Sequence, residues 1–377
     1  MPTFPLLHSN YVRLLTVLAL TITASACSGK GSAQASVHDF MVVANKPNNL
    51  NLVDLTERKV VRSCTLPGKY GSGTIAMAPD KHTAYVISNQ FENVYGVNLD
   101  TCELTFSAIQ SSGNVRVKSI GSLAVSRDGT EVYTHQNPVR LLPDRYEVMD
   151  TRIAVFKVAD GLNAKPVRTF AAPRQVVLLI PGADDTLYLS GQDVYAMNMQ
   201  TGEYTVKIPS LNAKDPLQGQ RDVLSIWPIG SQSNEFMRLY TALRFTDETQ
   251  NPDTARYMWG YERIDLTTGE AESRDFGPLE VVLFSGMTRP GDKNQLYAVL
   301  TQLKKYDVSQ QKEVMSVDLD HSYYCINFST DGSKVYLAGT FNDIAILDAD
   351  TLQKLGNIEL PGGDMALSSA QVFARAL

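Results

Sequence analysis

Residues Phe328 to Leu360 read FSTDGSKVYLAGTFNDIAILDADTLQKLGNIEL, and this stretch decides the fold. Asp331-Gly332 is a hairpin turn, because Gly and Asp tolerate the positive φ that such turns need. Lys334 to Ala338 alternates and is rich in β-formers. Ile344 to Leu347 is a second strand. Asp348-Ala349-Asp350-Thr351 turns the chain again, and Leu355 to Leu360 runs back. Three strands and two turns cannot bury both of their faces alone, so the unit makes sense only as one copy of a repeat.

Aligning the second turn finds the other copies. They turn at Asp54, Asn98, Lys157, Asn198, Asp265, Asp307 and Asp348. Subtraction gives spacings of 44, 59, 41, 67, 42 and 41 residues. A four-stranded propeller blade takes about 40–50 residues. The chain is therefore expected to be all-β, a seven-bladed β-propeller of four-stranded antiparallel blades. The spacings of 59 and 67 mark two insertions.

The ends of the chain fit closure of such a ring. Val37 to Ala44 enters the first blade with no innermost strand before it, and Met365 to Phe373 is left over at the other end. Placing the C-terminal segment innermost in the first blade removes the open sheet edges. The remaining inner strands are read as Thr74 to Ala78, Ile120 to Ser126, Val176 to Ile180, Asp222 to Trp227, Val281 to Ser285 and Tyr324 to Phe328. Turns after the inner strand then share a face with the Asp/Asn turns. Loops entering the inner strand share the opposite face with loops between second and third strands.

Both insertions, Asn137 to Thr151 and Phe245 to Tyr257, fall on that second face. Long loops in a compact fold usually carry function. The entering loops there contain Tyr70, Arg174-Gln175, Arg221-Asp222, Leu279-Glu280, Asp320-His321-Ser322-Tyr323 and Gly362-Gly363-Asp364. From these, Arg174, His321, Tyr323 and Asp364 are taken as the residues of a partner or substrate face. Any one of them taken singly reads as an ordinary polar loop residue.

Residues 1–26 carry Arg13, the apolar run LLTVLALTIT, and Ala24-Ser25-Ala26 before Cys27. This is the pattern of an export signal, too short to span a bilayer as a stable helix. Two cleavage sites fit. One leaves Cys27 for lipidation, and the other follows Ala33-Gln34-Ala35 and frees a soluble protein. Residues 27–36 read as a flexible tether and 37–377 as the propeller. The expected location is the periplasm, soluble or anchored through Cys27. Without residues 1–26 the chain holds 33 basic and 40 acidic side chains, a net charge of −7. Nothing in that balance suggests nucleic acid, which needs a basic face.

Cys64 and Cys102 lie 38 residues apart, close to one blade, so they can meet on neighbouring blades near the rim. Export favours a disulfide there over two half-buried thiols. Cys325 reads as a buried core thiol. No C-x-x-C-H haem motif, G-x-S-x-G elbow or clustered His/Cys set occurs in the sequence, and no catalytic residue or metal ligand is assigned.

Several segments, hairpin by hairpin, resemble one family. They are FMVVANKPNNLNLVDL, AMAPDKHTAYVISN, KPVRTFAAPRQV, LDHSYYCINFSTDGSKVYLAGTFNDIAIL and NIELPGGDM, together with RSCTLPGKYG and NLDTCELTF around Cys64 and Cys102. Residues 37–377 are similar to the β subunit of quinohemoprotein amine dehydrogenase. The resemblance implies a periplasmic three-subunit enzyme that oxidises primary amines to aldehydes and ammonia. In such an enzyme a small γ subunit carries cysteine tryptophylquinone, and an α subunit carries two c-type haems. The propeller would bind the small subunit and help wall the substrate cavity, with no cofactor of its own. Two other readings stay open at this point: a stand-alone exported propeller that binds a protein or glycan, and a lactonase-like propeller enzyme with a central metal.

Overall fold

The computed structural model describes residues 36–69, 74–211, 214–223, 232–366 and 368–376. The export signal, Cys27, the tether as far as residue 35, Tyr70 and Trp227 lie outside the described residues.

Seven antiparallel sheets form a seven-bladed β-propeller. Blade 1 comprises Ala370–Ala376 innermost, then Val37–Asn45, Asn49–Asp54 and Lys59–Thr65. Blade 2 runs Ile75–Met77, Thr83–Ser88, Asn93–Asn98 and Leu104–Ile109. Blade 3 runs Leu123–Val125, Glu131–Leu141, Arg152–Lys157 and Arg168–Ala171. Blade 4 runs Leu178–Pro181, Thr186–Ser190, Val194–Asn198 and Tyr204–Ile208. Blade 5 runs Asp222–Val223, Glu235–Arg244, Arg256–Asp265 and Ala271–Pro278. Blade 6 runs Ser285–Arg289, Asp292–Val299, Gln302–Asp307 and Lys312–Asp318. Blade 7 runs Cys325–Phe328, Lys334–Ala338, Asp343–Asp348 and Lys354–Glu359.

The ring closes as the sequence predicts. The C-terminal strand pairs antiparallel with the first, from Val37 opposite Ala376 to Val43 opposite Ala370. The closing strand begins five residues later than Met365, because Met365 is spent packing between blades 1 and 7. The inner strand of blade 6 also sits four residues beyond the expected Val281–Ser285. Pro290-Gly291 makes the following turn, with Gly291 at φ +81°, and that turn sets where the strand ends.

The apolar residues sort into seven clusters, one between each pair of neighbouring blades. Each middle strand is buried on both faces, which explains continuous apolar runs such as Phe40 to Ala44. The cluster between blades 7 and 1 draws Met365, Ala370 and Val372 from the C-terminal segment. Closure is therefore a packing event as well as a hydrogen-bonding one.

The repeated turn has a common geometry. The Oδ1 of Asn98, Asn198, Asp265 and Asp348 each accepts two backbone N–H groups from the residues two and three further on, at 2.8–3.0 Å. Asp307 and Asp54 accept the N–H of Gln310 and Glu57, respectively. The fifth turn residue is left-handed in every copy: Arg58, Cys102, Gly161, Gly202, Gly269, Gln311 and Leu352 all have φ between 50° and 78°. Lys157 has no side-chain acceptor, and its turn becomes a short 3-10 helix, Val158–Asp160.

Cys64 and Cys102 form a disulfide with Cα atoms 5.2 Å apart, joining the outer strand of blade 1 to the turn of blade 2. Closing a loop of this size contributes on the order of 3–4 kcal/mol in the chain-entropy account. Cys325 is a buried free thiol, and burial pushes its pKa up to about 11.

The turn chemistry sets an expected pH dependence at Asp265. A hydrogen bond from Lys293, with the two backbone donors, pulls its carboxyl down to about 2. A carboxyl depressed on folding contributes stability above the unfolded pKa of about 4 and loses it as pH falls toward 2. Asp265→Asn keeps the turn acceptor, as Asn98 and Asn198 do, but loses the Lys293 pair. It should be less stable than wild type at pH 7, with the difference shrinking below pH 4. Asp265→Ala should stay destabilised by about 1 kcal/mol at both, the scale of a lost capping bond. Denaturant melts at pH 7 and pH 3 compare the three chains.

Candidate functional site

The strand directions place every entering loop and every loop between second and third strands on one face of the ring. Both insertions lie there, but neither is a bare loop. In blade 3 the second strand runs on to Leu141, and Tyr146–Val148 folds back beside it. Val115–Lys118, from the entering segment, pairs on its other side. The result is a three-stranded extension standing beyond the blade. In blade 5 the second and third strands are ten residues each. The loop between them carries a 3-10 turn, Pro252–Thr254, capped by the Asn251 side chain. The entering segment again lies alongside: Gly219 N–H donates to Leu243 O and Phe245 N–H to Leu217 O, both at 2.8 Å. The extra length that the spacings reveal is thus shared between two loops in each case. The entering halves carry turn signals of their own, Ser112-Gly113 and Asp215-Pro216, which the spacing of the Asp/Asn turns does not single out.

Arg174, His321 and Asp364 lie in loops of this face, but the structure does not gather them into one pocket. Arg174 is exposed, donates to Met149 O at 3.3 Å and stands 3.8 Å from Asp150, so it ties the blade 3 extension to the entering loop of blade 4. Asp364 pairs with Lys46 at 3.0 Å across blade 1. His321 and Tyr323 meet in blade 7, with ring centroids 4.1 Å apart.

Tyr323 is only 1% exposed. Its hydroxyl donates to Asp343 at 2.7 Å, and burial together with that carboxylate raises its pKa. It is a supporting residue, reached from outside only through its neighbours. Asp343 also pairs with His321 Nε2 at 2.9 Å and accepts from Asn357 Nδ2 at 2.8 Å. Phe341 packs edge-on against His321 at 4.6 Å and is 54% exposed. Blade 7 therefore presents an aromatic surface, Phe341 and His321, on a polar base of Asp343, Tyr323 and Asn357. Asp343 and Phe341 lie within the stretch that decides the fold, where Asp343 reads as one more turn acid.

Between blades 4 and 5 the same face holds a buried ionic network. Arg238 is fully buried and bonds Glu262 at 2.5 Å, Gly191 O at 2.8 Å and Ser210 at 2.7 Å. Arg221 reaches the other Glu262 oxygen at 2.6 Å and lies over the Tyr240 ring at 4.4 Å. These bonds join blade 4 to blade 5, and removing Arg238 would take from the buried Glu262 carboxylate its nearest cationic partner. Among the described residues no group of three or more His, Cys, Asp or Glu side chains is placed to hold a metal.

The exposed large apolar residues are unevenly placed. Ile120, Tyr146, Val148, Tyr257, Val282 and Phe341 lie on the insertion face. On the Asp/Asn-turn face Leu162, Val167 and the terminal Val37 do so among the described residues, and the others lie on outer strands. Isolated exposed apolar residues need no explanation; these six share the insertion face across blades 3, 5, 6 and 7.

The blade 7 arrangement sorts support from surface. Asp343→Ala strands the buried Tyr323 hydroxyl and removes a partner of half-buried His321 and exposed Asn357, and should cost about 1–3 kcal/mol. Phe341→Ala removes only exposed surface and should stay within about 0.5 kcal/mol of wild type. Urea denaturation of the two variants separates these roles.

Structure comparison finds similar solved structures at low identity. The chain matches a structure titled dihydro-heme d1 dehydrogenase NirN in complex with DHE, with a TM-score of 0.51 and 12% identity over 89% of this chain and 75% of that one. It matches Kuenenia stuttgartiensis hydrazine synthase with a TM-score of 0.54 and 12% identity, over 83% and 90%. A functionally unknown protein from Desulfotomaculum acetoxidans matches at 0.54 and 11% identity, over 88% and 98%. No family model and no curated protein matches the sequence. At these identities the likeness shows the propeller fold, shared with enzyme-related propeller proteins, and nothing finer.

Proposed function

We propose that the chain is the noncatalytic propeller subunit of a periplasmic quinohemoprotein amine dehydrogenase. In this reading its insertion face docks the small subunit that carries cysteine tryptophylquinone and walls part of the amine cavity. The di-haem cytochrome c subunit takes electrons onward, and this chain holds no redox centre. The observation that carries the reading is the uneven placement of exposed apolar residues, more of which lie on the insertion face, Tyr146, Val148, Tyr257 and Phe341 among them. The sequence resemblance of residues 37–377 supplies the identity of the partners. The Cys64–Cys102 disulfide suits an oxidising compartment.

The chemistry asked of this chain is positional. Rigid blades hold aromatic side chains against a partner, and interfaces draw most of their affinity from such anchors. An amine with an apolar body calls for a largely apolar wall, which Phe341 and His321 can offer from their base on Asp343. Tyr323 acts beneath them, so its truncation reports on folding rather than on docking.

Co-expression with the products of neighbouring di-haem and small quinone-subunit genes tests the reading. Phe341→Ser and Tyr146→Ser should each lower co-purification of the small subunit by tenfold or more, or raise the amine KM, with the chain still folded. Leu162→Ser, on the other face, should change neither. Wild-type chain that assembles with neither product, or loss of assembly only in Leu162→Ser, would contradict it.

A further inference from the structure

The blade 3 extension carries a feature that side-chain docking alone does not use. In its hairpin, Leu142 N–H donates to Arg145 O at 2.9 Å, and Met149 N–H donates to Pro138 O at 3.1 Å. Arg140 stands opposite Glu147 between them. Antiparallel ladders alternate hydrogen-bonded and non-bonded pairs, so Tyr146 and Val148 turn their N–H and C=O groups away from the sheet. No strand among the described residues pairs with that edge. The register also puts Val139, Leu141, Tyr146 and Val148 on one face, since Val139 lies opposite Val148 and Leu141 opposite Tyr146. Tyr146 is 76% and Val148 65% exposed. An open edge and an apolar face therefore coincide on two residues.

Edge strands elsewhere are commonly blunted by Pro or Lys. Neither occurs within Tyr146–Val148, and Arg174 fixes the strand's end by bonding Met149 O. We propose that this edge receives an extended segment of the docked partner protein, added antiparallel or parallel as a fourth strand of the extension. Main-chain bonds to Tyr146 and Val148 would give affinity, and apolar side chains at alternate positions of the incoming segment would continue the Val139–Leu141 stripe. A second copy of this chain suits the site less well. Two three-residue edges meeting across a two-fold cover far less than the ~1,200 Å² of a stable interface. A partner seated on the insertion face adds Ile120 and the rest of that face to the same contact. The inference rests on the docking reading above for the partner's identity.

Val148→Pro removes one outward N–H. An edge strand tolerates Pro there because no ladder bond is lost. Val148→Thr keeps the N–H and the β-branch. In the co-expressed complex, Val148→Pro should weaken association at least tenfold and Val148→Thr less than threefold. Amide exchange at Tyr146 and Val148 should slow at least tenfold on assembly in the wild-type chain, a reading that stands even where the Pro variant misfolds. An assembled complex with both amides exchanging freely would overturn the strand addition and leave the docking reading intact. If the co-expressed subunits do not assemble, a synthetic six-residue peptide of alternating Val and Thr serves as the probe. Protection of both amides by it supports the edge without those partners, and no protection overturns it. A concentration-dependent dimer lost in Val148→Pro would overturn the proposal in favour of a second copy.

Discussion

Closure of the ring depends on the antiparallel pairing of the last strand with the first. Seven residue pairs, Val37–Ala376 to Val43–Ala370, make the first and last segments neighbours. Without them blade 1 would have an open inner edge and the cluster between blades 7 and 1 would lose Met365, Ala370 and Val372. Arg375 reinforces the joint from the closing strand. It bonds Asp100 of blade 2 at 3.1 Å and covers the Phe40 ring at 4.8 Å. Edge removal is the general benefit of closure. Here it also fixes the angular position of each blade, and so which loops share a face.

That constraint turns the insertions into a surface. A loop on an isolated hairpin could point anywhere, whereas a loop between second and third strands of a closed ring has one side to occupy. The chain spends its extra length there twice and braces it both times. Val115–Lys118 flanks one extension, and the 214–221 segment flanks the other. Arg244 joins Asp215 at 2.5 Å and also bonds Asp275, holding the second brace to the outer strand of its blade. Beneath the same face the Arg238–Glu262 network ties blade 4 to blade 5. Rigid support under exposed aromatic side chains is the arrangement that keeps the cost of ordering low when a partner binds.

Much of this was legible in the sequence because the turn signal is local. An Asp or Asn that accepts two backbone N–H groups advertises itself by residue type, and Asn98, Asn198, Asp265 and Asp348 could be aligned on that basis. Inner strands were harder, since residues buried on both faces lose alternation. Blade 6 shows the result, with Val281–Ser285 read as strand where Ser285–Arg289 forms it. Strand order puts the insertions on one face, but it does not tell how deep each side chain there lies. Tyr323 looks like a loop aromatic in HSYYC, yet Asp343 draws its hydroxyl inward. Phe341, which does face solvent, sits in a short loop with nothing in its neighbours to mark it. Depth below a surface depends on contacts far apart in the chain, and a single sequence does not record them.

The central claim is that a partner sits on the insertion face of the closed ring. Lysine cross-linking of the assembled complex with mass-spectrometric readout tests it most directly. Lys46, Lys69 and Lys118 lie on that face, and Lys81, Lys165 and Lys293 lie on the opposite one. The account predicts inter-subunit links to the small subunit from the first three and none from the second three. Links from Lys81, Lys165 and Lys293, with Lys46, Lys69 and Lys118 unlinked, would contradict it.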